Sequence, residues 1–153
     1  MRIRIDIDEN AGEPEVIIKC RAVDEEVVRV QTAVARAASE GSRLHAVKAG
    51  EEYYIAPEDV LFFESEGGRT WAHTADDAFE VKLRLYELEN VLPHSFIRVS
   101  KSAIAGVTHI YSIARNLTGP SVVSFRGSHK KLSASRQYFK ILQDKLNGRM
   151  LGK

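Results

Sequence analysis

The first residues of the chain alternate between charged and apolar positions. In the sequence RIRIDID, residues 2–8, isoleucine occupies every second position, which is the period of one face of a β-strand. A second β-branched run at residues 16–18 follows the turn-like sequence GEPE and predicts another short strand. Over residues 23–38 the apolar spacing changes to three and four, which predicts an amphipathic helix that ends near Gly41. The pattern therefore predicts a small β-β-α module over residues 1–42.

Short strands separated by brief turns dominate residues 43–148. Two helices accompany them, one over residues 85–92 that Pro93 ends and one over residues 134–146. Gly67 and Gly68 predict a turn, because glycine adopts positive φ without steric cost. The predicted fold is mainly β, followed by a tail over residues 149–153. The pattern predicts nine strands, at residues 43–48, 52–55, 60–65, 70–74, 79–82, 96–99, 109–115, 122–125 and 130–133.

Length and composition fit a globular protein. The 153 residues suit one medium domain, or one small domain with an appended module. No apolar run approaches the ~20 residues that cross a bilayer, and the first residues lack the apolar segment of a secretory signal. Cys20 is the single cysteine, so no intramolecular disulfide can form. We expect a protein of the reducing cytoplasm.

Charge is distributed unevenly along the chain. The formal charge is −1 over residues 1–50, −8 over residues 51–95 and +10 over residues 96–153, although the whole chain carries only +1. A basic region of this kind favours a phosphate-bearing partner. The alternative is a protein-protein interaction module in which complementary acidic and basic surfaces meet, and it predicts salt-sensitive self-association without DNA.

Residues able to carry catalysis or bind a metal are scattered. The five histidines form no pair at metal-ligand spacing, and one cysteine cannot build a zinc cluster. Ser128 and Lys131 match the S-x-x-K pattern of some serine acyltransferases, but the supporting motifs are absent. The carboxylates of the acidic segment fit a solvated strand edge better than a general acid/base pair. We expect no enzymatic activity, no cofactor, no metal and no small-molecule substrate.

Three basic residues fall in loops or at the start of a helix. Lys101 lies in a Ser-Lys-Ser tripeptide between strands, Arg136 opens the last helix, and Arg69 follows the two glycines. Loops hold side chains clear of a sheet, and short hydroxyls and helix N-termini donate to phosphate oxygens. The predicted DNA-binding residues are Arg69, Arg98, Ser100, Lys101, Ser102, Arg126, Lys130, Lys131, Ser135 and Arg136.

Six motifs follow one another over the same part of the chain. They are YYI at 53–55, PEDVLFFES at 57–65 before a glycine-bearing loop, LYELE at 85–89, FIRVSKSAI at 96–104, a strand at 110–113, and LSASR at 132–136. Their order and spacing over about two-thirds of the chain resemble a LytTR-type DNA-binding domain.

The resemblance implies an elongated, mainly β body of small antiparallel sheets with short helices. It also implies a bacterial transcription regulator that reads the major groove of double-stranded DNA through loops, as a homodimer on paired half-sites. The base-reading loop positions of the family fall on Arg69, Lys101 and Arg136, and we expect Arg98 and the serines to position phosphate. Ser100 is a departure, because relatives often carry histidine there.

The module over residues 1–42 is too small for the receiver domain of about 120 residues that many relatives carry. We therefore expect no phosphorelay control through this chain. The module resembles the extension of stand-alone LytTR regulators, which are often paired with a small membrane protein. Valines at positions 23, 27, 30 and 34 share one face of the predicted helix, and we expect this face to mediate dimerisation.

Overall fold

A computed structural model describes residues 1–12, 14–39 and 41–148, and the tail predicted over residues 149–153 lies outside the described residues. The chain divides into two units, Met1–Ala38 and Ser39–Lys153. Within the described ranges, no helix is both long enough and apolar enough to cross a membrane.

The predicted helix is α1 at Glu25–Ser39, and all of it except the last residue belongs to the first unit. Its start follows from the sequence, because the Asp24 carboxylate accepts the Val27 amide at 3.0 Å and acidic residues fill the first turn. The two strands predicted at residues 2–8 and 16–18 are wrong, since both segments are irregular and exposed. A strand needs a hydrogen-bonded neighbour and a covered apolar face, and an isolated two-stranded hairpin is marginal in water.

The described part of the second unit contains ten strands, two α-helices and two short 3₁₀ helices at Pro57–Asp59 and Val107–His109. All nine predicted strands and both predicted helices are confirmed, with ends shifted by at most two residues. The strands are β1 Leu44–Lys48, β2 Glu51–Ile55, β3 Phe62–Glu66, β4 Arg69–His73, β5 Ala78–Val81, β6 Phe96–Ser100, β7 Ala103–Gly106, β8 Ile110–Ala114, β9 Ser121–Phe125 and β10 Lys131–Ala134. The helices are α2 Leu85–Val91 and α3 Arg136–Asn147.

Two antiparallel sheets make up this unit. The larger has seven strands in the order β2-β1-β5-β4-β3-β7-β6, and the smaller has the order β10-β9-β8. The prediction of a mainly β fold with antiparallel sheets and short helices is confirmed, although the first sheet is larger than predicted.

Strand β7 is the element that the hydrophobic pattern missed. All four of its residues are buried, so the sequence AIAG shows no alternation, and alanine and glycine have low strand propensity. The strand pairs with both β3 and β6. A Cβ added at Gly106 would lie 3.2 Å from the carbonyl oxygens of Val60 and Leu61, so glycine permits this close backbone approach.

Both faces of the seven-stranded sheet are covered. Consecutive side chains of β3 point to opposite faces, and Phe62 and Phe63 belong to two different buried clusters. Phe63 packs with Leu88 of α2 in one cluster, whereas Phe62 shares the other with Phe125 of the smaller sheet and Leu142 of α3. Packing on both faces of the sheet therefore holds the strands whose ends carry the turns.

Candidate nucleic-acid interface

Three segments of the chain meet at one end of the seven-stranded sheet, where its central strands turn. Because β3 pairs antiparallel with both β4 and β7, the β3–β4 hairpin lies beside the β6–β7 turn. The Ser65 amide donates to the Ser102 carbonyl at 2.8 Å, and the Ser135 amide donates to the Val99 carbonyl at 2.8 Å. These bonds hold both turns and the start of α3 together. We name this region the loop edge and define it by residues 67–69, 101–102 and 135–136.

Arg69 stands where the β3–β4 hairpin enters β4. Gly67 and Gly68 form the turn with φ of +60° and +75°, a conformation that residues with a Cβ rarely adopt. The exposed Arg69 guanidinium lies 3.5 Å from a Glu80 carboxylate oxygen. An exposed ion pair at this distance is weak, so Arg69 can leave Glu80 and bind an anion that it contacts more closely.

Lys101 and Arg136 are exposed cations on the other two segments of the loop edge. Within the described residues, neither side chain has a hydrogen bond or an ion pair. Ser135 is the N-cap of α3, but its hydroxyl makes no capping bond and is buried without a partner. The first turn of α3 therefore keeps free amide donors close to Arg136.

Arg98 plays a different part in the structure from these exposed cations. Its guanidinium pairs with the Glu89 carboxylate of α2 and donates to the Ser100 carbonyl at 2.8 Å and to the Lys101 carbonyl. The side chain is only 24% exposed. Arg98 therefore holds the β6–β7 turn in position, and its contact with the Lys101 backbone fixes where the Lys101 side chain begins.

Replacing Arg98 with alanine is expected to lower the free energy of unfolding by about 2 kcal/mol, because two carbonyls lose a charged donor. Urea titration followed by circular dichroism measures this change. Arg98→Lys should restore little of the loss, because an ammonium group cannot reproduce the guanidinium fork. Glu89→Gln removes only the exposed ion pair and should cost less than about 1 kcal/mol. Equal losses in Arg98→Ala and Glu89→Gln would contradict the proposed role of the carbonyl contacts.

A hydroxyl-lined groove of about 350 Å³ opens between the β6–β7 turn and β10. It brings together four of the predicted DNA-binding residues, Ser100, Ser102, Lys131 and Ser135. Glu64 also lines the groove. Burial of its carboxyl is the main cause that raises its pKa, and the negative charge of the neighbouring Glu66 raises it further.

Arg126 and Lys130 lie elsewhere, near the opposite end of β4. The β9–β10 hairpin that carries them contacts the β4–β5 connection, where the Ser128 hydroxyl donates to the Ala75 carbonyl at 2.9 Å. Lys130 donates to the Asp77 carbonyl and lies 3.4 Å from His73 Nδ1, and burial lowers its pKa. Arg126 stacks over the Tyr111 ring at 5.5 Å. The structure thus divides the ten predicted residues between two ends of the sheet.

Sequence reasoning missed two residues of this region. Ser133 lines the groove with Lys131 and Ser135. Side chains alternate between the two faces along β10, so the spacing of two from Lys131 was the sequence signal that could have identified Ser133. Glu89, on α2, pairs with Arg98. That contact joins segments nine positions apart and leaves no local pattern.

Comparisons with known proteins bear on the same part of the chain. A family model described as the LytTr DNA-binding domain matches residues 50–147. Two relatives, from Staphylococcus aureus strains NCTC 8325 / PS 47 and COL, are each 35% identical over 97 residues and are named uncharacterized HTH-type transcriptional regulators. The match covers 63% of this chain and 65% of each relative, which is less than two thirds of their length.

The fold is also similar to a solved structure. A LytTr DNA-binding domain from Bacillus cereus superimposes with a TM-score of 0.63 at 24% sequence identity. The superposition covers 70% of this chain and 97% of that domain. At this identity the likeness establishes the fold.

Proposed function

Because the chain belongs to the LytTR DNA-binding domain family, we propose that it is a transcriptional regulator that reads double-stranded DNA through the loop edge, as a homodimer. The observation that carries this proposal is the meeting of Arg69, Lys101 and Arg136, from three separate segments, at one end of the seven-stranded sheet. Cations that are distant in sequence but adjacent in space form a surface suited to the closely spaced phosphates of DNA.

The residues of the loop edge have different roles in this proposal. Lys101 and Arg136 have free side chains long enough to reach base edges in the major groove, where both residue types bind guanine O6 and N7. Arg69 and the hydroxyls of Ser100 and Ser102 contact phosphates and set the register. Arg98 acts as a positioning residue for the turn. Arg126 and Lys130 lie outside the surface that contacts the half-site.

Loops carry the recognition in this proposal in place of a helix pair. The names of the Staphylococcus aureus relatives refer to a helix-turn-helix, in which two helices are joined by a short turn. In the described part of this chain, strands separate each helix from the next. The exposed cations of the β6–β7 turn and the β3–β4 hairpin are accordingly the candidates for base and phosphate contact.

The wider setting of the protein is part of the same proposal. We place the regulator in the cytoplasm, without enzymatic activity and without a cofactor, and we expect control by a small membrane protein partner. The exposed single cysteine, Cys20, is consistent with a reducing compartment.

Lys101→Ala and Arg136→Ala are each expected to cost about 1–3 kcal/mol of binding free energy on a preferred sequence, if these residues read bases. The preferred sequence comes from repeated selection of a randomised duplex pool by the wild-type protein. Fluorescence anisotropy then compares each variant on the selected duplex and on a scrambled duplex. The loss should be larger on the selected duplex.

Arg126→Ala is the matched control, because it removes one exposed cation at the opposite end of the sheet. It should change the binding free energy by less than about 0.5 kcal/mol. Equal losses on both duplexes would reduce Lys101 and Arg136 to phosphate contacts. Failure of the wild-type protein to enrich any sequence would refute the proposed function, and salt-sensitive self-association without DNA binding would favour the protein-interaction alternative.

A further inference from the structure

The segment RIRIDID in the first unit has an unpaired apolar face. Ile3, Ile5 and Ile7 are 83–91% exposed, and the described residues of this segment form no strand. Its charged side chains are exposed too, with an ion pair of 2.6 Å between Arg4 and Asp6. The three isoleucines occupy every second position, so in an extended chain they share one face, and that face is exposed to solvent. An exposed apolar face of this kind indicates a surface that a partner covers.

The order of charges in this segment makes it complementary to itself. We propose that residues 2–8 of two copies pair as antiparallel strands about a two-fold axis at Ile5. Arg2 then lies opposite Asp8 of the second copy, and Arg4 lies opposite Asp6. Ile3 lies opposite Ile7, and Ile5 lies opposite itself. Directly opposed residues share a face of an antiparallel pair, so one face carries four ion pairs and the other six isoleucines.

Other registers lose this complementarity. A shift of two residues in one direction places Arg4 opposite Arg4, and a shift in the other direction places Asp6 opposite Asp6. A shift of one residue moves the isoleucines of one strand to the charged face. A parallel, in-register pair sets arginine beside arginine and aspartate beside aspartate. The antiparallel register about Ile5 is therefore the one in which every charge meets its opposite.

A two-stranded ribbon is marginal alone, so the isoleucine face needs a cover. The first unit supplies apolar residues for it, because Val16, Ile17 and Ile18 are exposed and α1 carries a valine stripe. The pairing also explains why the alternating pattern predicts a strand that one copy does not form: the hydrogen-bonding neighbour is the second chain.

This inference rests on the proposed function in one respect, since it supplies the interface of the proposed homodimer. A two-fold axis is the symmetry expected for a dimer with one self-complementary interface. The pairing itself is measured without DNA, so its failure and a failure of DNA binding are distinguishable.

Two charge variants of the full chain test the pairing. Asp6→Arg with Asp8→Arg makes every charged position of the segment basic, and Arg2→Asp with Arg4→Asp makes every one acidic. In sedimentation equilibrium, the wild-type chain should be dimeric, each variant alone should be monomeric at the same concentration, and a 1:1 mixture should form the dimer again. Dimeric variants, a monomeric mixture or a monomeric wild-type chain would each overturn the proposal.

Disulfide trapping tests the register. In a Cys20→Ser background, Ile5→Cys places two thiols across the two-fold axis, where opposed Cα atoms are about 4.5–5.5 Å apart, within disulfide range. Ile3→Cys is the matched control, because its opposite residue is Ile7 and the two thiols lie several residues apart. Oxidation should cross-link the Ile5→Cys chain and leave the Ile3→Cys chain monomeric on a non-reducing gel. Equal cross-linking of both would indicate a parallel pair and would refute the antiparallel register.

Discussion

DNA binding by this protein is expected to weaken about 10³-fold when the salt concentration rises from about 50 to about 200 mM. In the proposed complex Arg69 and Lys131 neutralise phosphates, and the base-reading Lys101 and Arg136 add positive charge beside the same backbone, so binding releases counterions that surround DNA. If each protomer of a dimer neutralises about three phosphates, the slope of log K against log salt is about −5. Fluorescence anisotropy on the selected duplex over a range of potassium chloride concentrations measures this slope.

A single substitution assigns part of the slope to one residue. Arg69→Ala should reduce its magnitude by about 2 for a dimer, because one phosphate contact is lost in each protomer. Arg126→Ala removes an equal charge from the opposite end of the sheet and should leave the slope unchanged. A slope near zero for the wild-type protein would contradict phosphate binding, and a slope that only Arg126→Ala alters would move the interface to the other end.

The second large effect concerns the stability of the fold at acid pH. His73 stacks on the buried Phe62 ring at 4.3 Å, and its Nδ1 lies 3.4 Å from the Lys130 ammonium group. Lysine can only donate, so Nδ1 accepts and the imidazole is neutral. Burial, and then the positive charge of Lys130, lower the pKa of His73 from 6.5 to about 4. Protonation of this histidine therefore opposes folding.

The sign of the pH dependence follows from this lowered pKa. The unfolded chain binds a proton at His73 below about pH 6.5, whereas the folded chain does not until about pH 4. The contribution of His73 to stability is thus complete above pH 6.5 and is lost as the pH falls towards 4. The expected loss is about 2–3 kcal/mol over this window.

Urea titrations between pH 7 and pH 4 measure this loss, with His73→Phe as the matched variant. Phenylalanine keeps a ring on Phe62 but cannot titrate, so titrating groups that do not contact His73 contribute equally to both chains. Glu64, whose carboxylate lies 3.9 Å from His73 Nε2, is replaced by glutamine in both proteins. The difference in unfolding free energy between the two proteins should shift in favour of the variant as the pH falls. A difference that stays constant over this range would show that His73 titrates normally in the folded protein.

Periodicity located most of the second unit because its strands and helices bury one face. Strand β5, with the burial alternating along AFEV, and α2, with Leu85 and Leu88 on its inner side, are examples. The same rule failed for β7, whose residues are buried on both sides. It also failed for RIRIDID, where the alternation is present but the described single chain supplies no neighbouring strand. Periodicity predicts which face of an element is apolar, but it does not predict what covers that face.

The candidate site divides along a similar line. The residue types, the glycine turn and the order of motifs were readable, and they suffice to identify the family and its ten candidate positions. The sequence did not show whether a given cation has hydrogen-bond or ion-pair partners. Arg98 and Lys101 are three residues apart in one basic stretch, yet Arg98 is held by Glu89 and two carbonyls while Lys101 is exposed without a described partner.

The order of the motifs was enough to show the resemblance to the family. Local composition and spacing were enough for the element order and the charge of the segments, because these depend on neighbouring residues along the chain. The grouping of Arg69, Lys101 and Arg136, and the separation of Arg126 and Lys130 from them, follow from strand order. Antiparallel pairing of β3 with β4 and β7 brings distant turns to one edge. Hydrogen bonds between segments set that arrangement, and no local pattern records them.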